Sequence, residues 1–191
     1  MLIVGLGNPG PEYLGSRHNV GQEVVGALAR RWGISFRRAP GRIRGQVAEG
    51  GPTAARAILA LPRTFVNESG SAVGPLLRYY DVPLAGLVLV HDDIDLPFGR
   101  LRFQHGRGSG GHRGVDSVAA VVGGLDFSRL KIGVGRPPSS MDPADYVLRP
   151  FQRRERAEVD LLVEDGADVL EVYISSGLQR AVSRASQRTT P

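Results

Sequence analysis

Residues 2–21 read LIVGLGNPGPEYLGSRHNVG, and the order of chemistry within them decides the fold: an apolar strand runs directly into a polar loop rich in glycine and proline. Leu2, Ile3 and Val4 form a continuous apolar run of the kind covered on both faces inside a parallel sheet. The loop then carries Asn8, Tyr13, Arg17, His18 and Asn19 just beyond the strand's carboxyl end, where open α/β sheets bind ligands. Gly5, Gly7 and Gly10 match the G-x-G-x-x-G spacing of dinucleotide-binding folds. That site needs a helix to open at once on a pyrophosphate, whereas Pro9, Pro11 and Gly15 keep the chain irregular until about Asn19. The following strand also ends without the acidic residue that would hold a ribose. The three glycines therefore read as turn residues.

Beyond the loop, Val20, Val24, Val25, Leu28, Ala29 and Trp32 recur at helical spacing, with Asn19 as a candidate N-cap and Gly33 as a C-cap. Strand-like segments follow at 34–38, 43–48 and 55–61, the last two joined by a hairpin at 49–52, which implies a partly antiparallel sheet edge. PRTFVNESG, residues 62–70, leads into a helix in which Pro75 predicts a kink or a late start. Residues 87–90 form a second apolar strand, and it ends in HDDIDLP. If the two apolar strands are parallel neighbours, Asp92 emerges in the same crevice as the first loop. An exposed strand over 100–103 precedes HGRGSGGHRG, residues 105–114, whose glycines predict a mobile loop that lets backbone approach a ligand. A helix over 115–122, a strand over 130–134, a loop RPPSSMDP and a long closing helix over 152–174 complete the chain, and the basic end, 180–191, is expected to fray.

At 191 residues and 20.5 kDa the chain is expected to form one domain, 1–191, able to bury about 70% of its unfolded surface. The pattern predicts an α/β fold: a mixed, twisted β-sheet flanked by helices on both faces. Hydrophobic and charged residues at 41% and 23% match an ordinary globular protein, and no apolar run approaches membrane-spanning length. The absence of a basic leader before the first strand points to the cytoplasm. With no cysteine, disulfides, thiolate metal sites and a cysteine nucleophile are excluded. The net charge is +5 and Lys131 is the only lysine. Arginine forks suit phosphate, so a polyanionic partner is one explanation of the charge and genome composition another.

Only three asparagines occur, Asn8, Asn19 and Asn67, and Asn8 and Asn67 sit beside glycine-rich turns at strand ends. Asparagine is a common turn residue; what raises its interest is His18 in the same loop. A histidine with a carboxylate available from the next strand end is a candidate general base, with Asp92 fixing its tautomer. There is no G-x-S-x-G elbow for a serine acyl-enzyme. The run His91, Asp92, Asp93, Asp95 fits no standard ligand spacing, which makes metal-free hydrolysis the simpler expectation.

GLGNPGPEYLGSRHNVG, PRTFVNESG, HDDIDLPFG and GSGGHRG, in this order and spacing, resemble the signature segments of bacterial peptidyl-tRNA hydrolases over nearly the whole chain. The resemblance implies a monomeric, cytoplasmic esterase without metal or cofactor, needing no protein partner. It would cleave the ester between peptide and tRNA and return tRNA to translation. By position, it implies that His18 is the base and Asp92 its orienting partner. Asn8 and Asn67 would hold the peptide and the reacting ester, with Val66 standing where a larger methionine is common. Tyr13 would lie beside the terminal nucleotide, and Arg102 and Lys131 near the tRNA acceptor stem and CCA end. The pattern is broken at Arg113, which replaces a third asparagine. Arginine donates but cannot accept. It could stabilise an oxyanion, lower the pKa of His18 by like charge, or reach a phosphate. The alternative reading is a relative of the same fold that binds RNA without hydrolysing it.

Overall fold

The computed structural model describes residues 1–51, 56–138 and 140–188. Strand β1, Leu2–Gly5, is buried along its whole length, and its side chains alternate between two cores. Ile3 packs with Val24, Leu28, Val90 and Leu162 on one face. Leu2 and Val4 pack with Val73, Leu76, Val115 and Val118 on the other. A strand buried on both sides needs this unbroken apolar run.

The remaining strands are β2 (Arg37–Arg38), β3 (Gly45–Gly50), β4 (Ala57–Pro62), β5 (Leu87–Asp93), β6 (Leu101–His105) and β7 (Ser128–Gly133). The helices are α1 (Val20–Arg31), α2 (Gly70–Tyr79), α3 (Arg113–Val122), α4 (Pro143–Leu148) and α5 (Arg156–Ser186). One mixed sheet has the order β2-β3-β4-β1-β5-β7-β6, with β4, β1, β5 and β7 mutually parallel and antiparallel pairing towards both edges. Helices α1 and α5 cover one face, α2 and α3 the other. From β1 the chain passes through α1 to the β2–β4 side, then returns through α2 to β5 on the opposite side of β1. Strand order therefore reverses at β1, and a crevice opens beyond the carboxyl ends of β1 and β5.

The glycines of the first loop have a different role from the one their spacing suggested. A Cβ on Gly5 would lie 2.6 Å from the Gly21 carbonyl oxygen, and one on Gly21 would lie 2.1 Å from the Val90 oxygen. These two residues let the start of α1 press against the ends of β1 and β5. Gly7 is hemmed in by Gln22 and Asn19. Of the three, only Gly10, at φ 115°, adopts a backbone that favours glycine.

Several boundaries differ from expectation, each because tertiary pairing prevails. Ile34 donates its N–H to Ala29 at the end of α1, so the strand expected at 34–38 shrinks to β2. Strand β5 continues to Asp93 because β7 pairs with it through His91↔Lys131 and Asp92↔Ile132. Leu101 and Phe103 of β6 are buried, Phe103 against Tyr173, so that strand is exposed on one side only. Helix α2 begins ahead of Pro75 without a late start, and α3 begins at Arg113. Residue 52 of the hairpin expected at 49–52, and the first residue of the strand expected at 55–61, lie outside the described residues.

The closing helix starts at Arg156 and, contrary to the expected fraying from 180, continues to Ser186. Gly177, at φ 78°, breaks it. The second segment turns back, so that Arg184 reaches Asp165 at 2.9 Å and Arg188 pairs with Glu158. Ala181 and Ala185 are fully buried, which secures the tail that composition alone made look polar.

Gly21→Ala should destabilise the protein by about 2–3 kcal/mol, the cost of overpacking a close backbone contact, measured by urea unfolding. An unchanged midpoint would show that α1 does not rest on β5 in this way.

Candidate active site

His18 sits in a short 3-10 turn, Arg17–Asn19, that leads directly into α1. Its neighbour Arg17 anchors that turn. The buried Arg17 guanidinium donates to Pro150 O at 2.9 Å and to Glu155 Oε2 at 2.8 Å, and lies 4.2 Å from the Tyr146 ring centroid. With its approach fixed, His18 Nδ1–H donates to Asp92 Oδ1 at 2.7 Å. The second ring nitrogen, Nε2, then carries the lone pair, on a side chain that lines the cleft. Burial disfavours the imidazolium of His18, but the Asp92 carboxylate and its hydrogen bond outweigh that, so His18 titrates above the ordinary value of 6.5.

Asp92 has a second partner that the sequence reading missed. His112 Nε2 lies 3.0 Å from the same Oδ1, while His112 Nδ1 accepts from the backbone N–H groups of Gly114 and Val115 at 3.2 and 3.3 Å. His112 is therefore the N-cap of α3. Its position just before a helical run was the available signal, but histidine is not a preferred cap type. Burial alone would raise the Asp92 carboxyl; its interactions with the two imidazoles, His18 and His112, which both hydrogen-bond to it, hold it well below the usual carboxylate range instead. Beneath them, His91 Nδ1–H donates to Asp92 O at 2.7 Å. Burial and the neighbouring His112 keep His91 well below the ordinary imidazole value.

The amide donors are set by a second network. Asn19 occupies the N-cap position of α1 as expected, but its side chain makes no cap hydrogen bond and grips the backbone of Asn8: its Oδ1 accepts from Asn8 N–H at 2.8 Å and its Nδ2 donates to Asn8 O at 3.0 Å. Asn8 Oδ1 accepts from Val66 N–H at 2.8 Å. That bond fixes the amide orientation and leaves the Asn8 NH2 for the cleft. It also ties the first loop to the turn Val66–Glu68, which presents Asn67.

The cleft has a volume of about 520 Å³, and Asn8, Tyr13, His18, Val66, Asn67, Asp92 and Arg113 all line it. Tyr13 meets the half-exposed Phe65 edge to face at 6.4 Å, so the rim carries two aromatic rings. Arg113, the first residue of α3, is exposed. Lys131 and Arg102 stand apart from the lining: they are cross-strand partners on β7 and β6, and thus share a face of the sheet. Lys131 is buried, with Nζ 2.5 Å from Asp93 Oδ2, and Arg102 is exposed.

Ligand atoms of His18, Asp92 and His112 lie within 4.8 Å of one another, a spacing that could hold a metal ion. The hydrogen bonds disfavour it. His112 Nε2 could offer a lone pair only with the proton on Nδ1, facing the N–H groups of α3 that Nδ1 accepts from. The arrangement suits a protonic role better: a buried carboxylate, an oriented imidazole and an amide donor around one cleft.

The family model for peptidyl-tRNA hydrolase matches residues 2–191. A peptidyl-tRNA hydrolase of Rhodococcus erythropolis is 45% identical over 183 residues, covering 96% of each chain. One of Mycobacterium tuberculosis is 46% identical over 184 residues with the same coverage. The crystal structure of peptidyl-tRNA hydrolase from Acinetobacter baumannii superposes with a TM-score of 0.91 at 31% identity, over 98% of this chain and 95% of that one. A 5′-methylthioadenosine nucleosidase of Arabidopsis thaliana shares only the fold, with a TM-score of 0.57 at 8% identity. Matched along nearly its whole length by model, sequence and structure, this chain belongs to the peptidyl-tRNA hydrolase family.

Proposed function

We propose that this enzyme hydrolyses the ester between a peptide and tRNA by general-base activation of water at His18, and the observation that carries the reading is the His18–Asp92 hydrogen bond with Nε2 left open to the cleft. Nε2 takes a proton from water as its oxygen attacks the ester carbonyl. Asp92 keeps the proton on Nδ1 and stabilises the imidazolium that forms. The oriented amide of Asn8 donates to the carbonyl oxygen as charge develops on it. When the tetrahedral intermediate collapses, the ribose oxygen leaves and takes the proton back from Nε2. The products are tRNA with a free 3′ end and a peptide carboxylic acid, which gives its proton to solvent and becomes the carboxylate.

Asn67, which lines the cleft, would hold the peptide, with Val66 beside it in the wall. The Tyr13–Phe65 pair offers the terminal adenosine a stacking surface. Phosphates of the CCA end and acceptor stem would meet Arg113 and Arg102, contacts that position RNA without reading its sequence. Because Lys131 is buried against Asp93, its role would be to hold that carboxylate rather than to meet a phosphate directly. No helix among the described residues is long and apolar enough to cross a membrane; a monomer acting in the cytoplasm suits the reading. The non-hydrolytic alternative has no support, since the base, its carboxylate and both cleft asparagines are all in place.

In single-turnover cleavage of an N-acylated aminoacyl-tRNA, His18→Ala should slow the reaction by about 10²–10⁴-fold, the usual weight of a general base. Chelator should leave the unmodified enzyme unaffected. Equal rates for His18→Ala and the unmodified protein would overturn the reading.

Because the base must be unprotonated, kcat/KM should rise through an acid limb above pH 6.5. Asp92→Asn removes the group that raises His18, so the limb should move down, with a rate loss on the order of 10³–10⁴-fold from the wrong tautomer. A limb that stays in place would disconnect His18 from Asp92.

Arg113→Asn should keep turnover within about tenfold while the salt dependence of kcat/KM flattens by about one unit of log–log slope, the signature of one lost phosphate contact. A rise in turnover by orders of magnitude would mean that Arg113 obstructs the chemistry.

A further inference from the structure

We infer that His112 is a positioning residue for the base, a second ring N–H on Asp92 whose direction is set by the start of α3; the inference rests on the hydrolytic reading of the same cleft. A backbone N–H can only donate, so His112 Nδ1, which accepts from Gly114 and Val115, carries no proton. The single proton of the neutral ring is therefore on Nε2, directed at Asp92 Oδ1. Backbone geometry thus selects the tautomer of one histidine, and through Asp92 it reaches the other.

Two consequences follow for His18. The carboxylate is held between two rings whose centroids are 5.2 Å apart, so Oδ1 keeps its place when His18 gives up its proton. The second donor also stabilises the carboxylate charge, which weakens the pull of Asp92 on the His18 proton. His18 is raised by Asp92, and His112 limits that rise, keeping the base unprotonated over more of the neutral range. The other titratable or charged groups around the cleft are Tyr13 from the first loop, Asp93 of β5, Arg113 of α3 and Asp142 before α4, with His91 below His112. None of these is hydrogen-bonded to His18 or to the Asp92 carboxylate among the described residues.

His112 also fastens the glycine-rich loop that composition marked as mobile. At the loop's other end, the buried Arg129 donates through Nη2 to the carbonyls of Gly106, Arg107 and Gly108 at 2.7, 2.9 and 2.9 Å. Residues 109–111, between the two fastenings, line the cleft. Displacement of this segment would withdraw the His112 proton from Asp92, so loop position and base strength are coupled.

His112→Asn separates the two functions of the residue. Asparagine is a favoured N-cap and keeps the acceptor for the α3 N–H groups, but it is too short to reach Asp92 as well. The unfolding midpoint should hold within a few degrees. The His18 imidazole, followed by NMR titration, should shift upward by roughly half to one pH unit, the effect of one neutral hydrogen bond. The acid limb of kcat/KM should move with it, and kcat near neutrality should fall by about tenfold at constant KM. His112→Ala should show the same shift together with a lower unfolding midpoint. An unmoved His18 titration, or a loss carried by KM alone, would overturn the inference. The NMR titration reads the coupling whether or not the ester is cleaved, so it fails independently of the hydrolytic reading.

Discussion

The hydrogen bond from His18 to Asp92 joins residues 74 positions apart, and most of the architecture serves to make that bond possible. Parallel pairing of β1 with β5, in the register Val4↔Leu89, sets the loop that carries His18 beside the strand that carries Asp92. Gly5 and Gly21 remove the side chains that would hold α1 away from those strand ends. Arg17 ties the preceding residue to Pro150 and Glu155, so the turn is braced from the far side as well. A buried carboxylate without partners would be costly. Asp92 is tolerated at 2% exposure because two imidazoles hydrogen-bond to its carboxylate.

Charge is partitioned between structure and surface. Part of the arginine content is taken up by ion pairs within the chain: the buried Arg17 with Glu155, and, nearer the surface, Arg156 with Glu23 and Arg31 with Glu164 and Asp168. Arg184 and Arg188 tie the end of α5 to its own middle. Arg129 caps loop carbonyls, and Lys131 neutralises Asp93. The positive charge available to a nucleic acid is therefore smaller than the residue count suggests. At the cleft it is concentrated on Arg113, with Arg102 further along the sheet face.

Much of this was legible in the sequence where the signal is local. The buried run at Leu2, the apolar strand before Asp92, the irregular loop up to Asn19 and the helical spacing after it all survive in the structure. Asn8, His18, Asn67 and Asp92 do converge on one cleft. What failed was set by partners distant in sequence. The extra length of β5 depends on β7, the order of residues 180–186 depends on Asp165 and Glu158, and the role of Gly5 depends on Gly21. His112 was passed over because nothing local distinguishes a capping histidine in a glycine-rich loop. Its importance lies in reaching Asp92, 20 positions away.

The central claim is that a neutral His18, with its proton on Nδ1 against Asp92, is the base in ester hydrolysis. The most direct test follows the His18 ring nitrogens by ¹⁵N NMR across pH and compares their titration with the single-turnover rate of the same enzyme on an N-acylated aminoacyl-tRNA. The account predicts one shared apparent pKa above 6.5, with Nδ1 protonated and Nε2 bare in the active form. A rate that rises where His18 does not titrate, or an active form with the proton on Nε2, would contradict it.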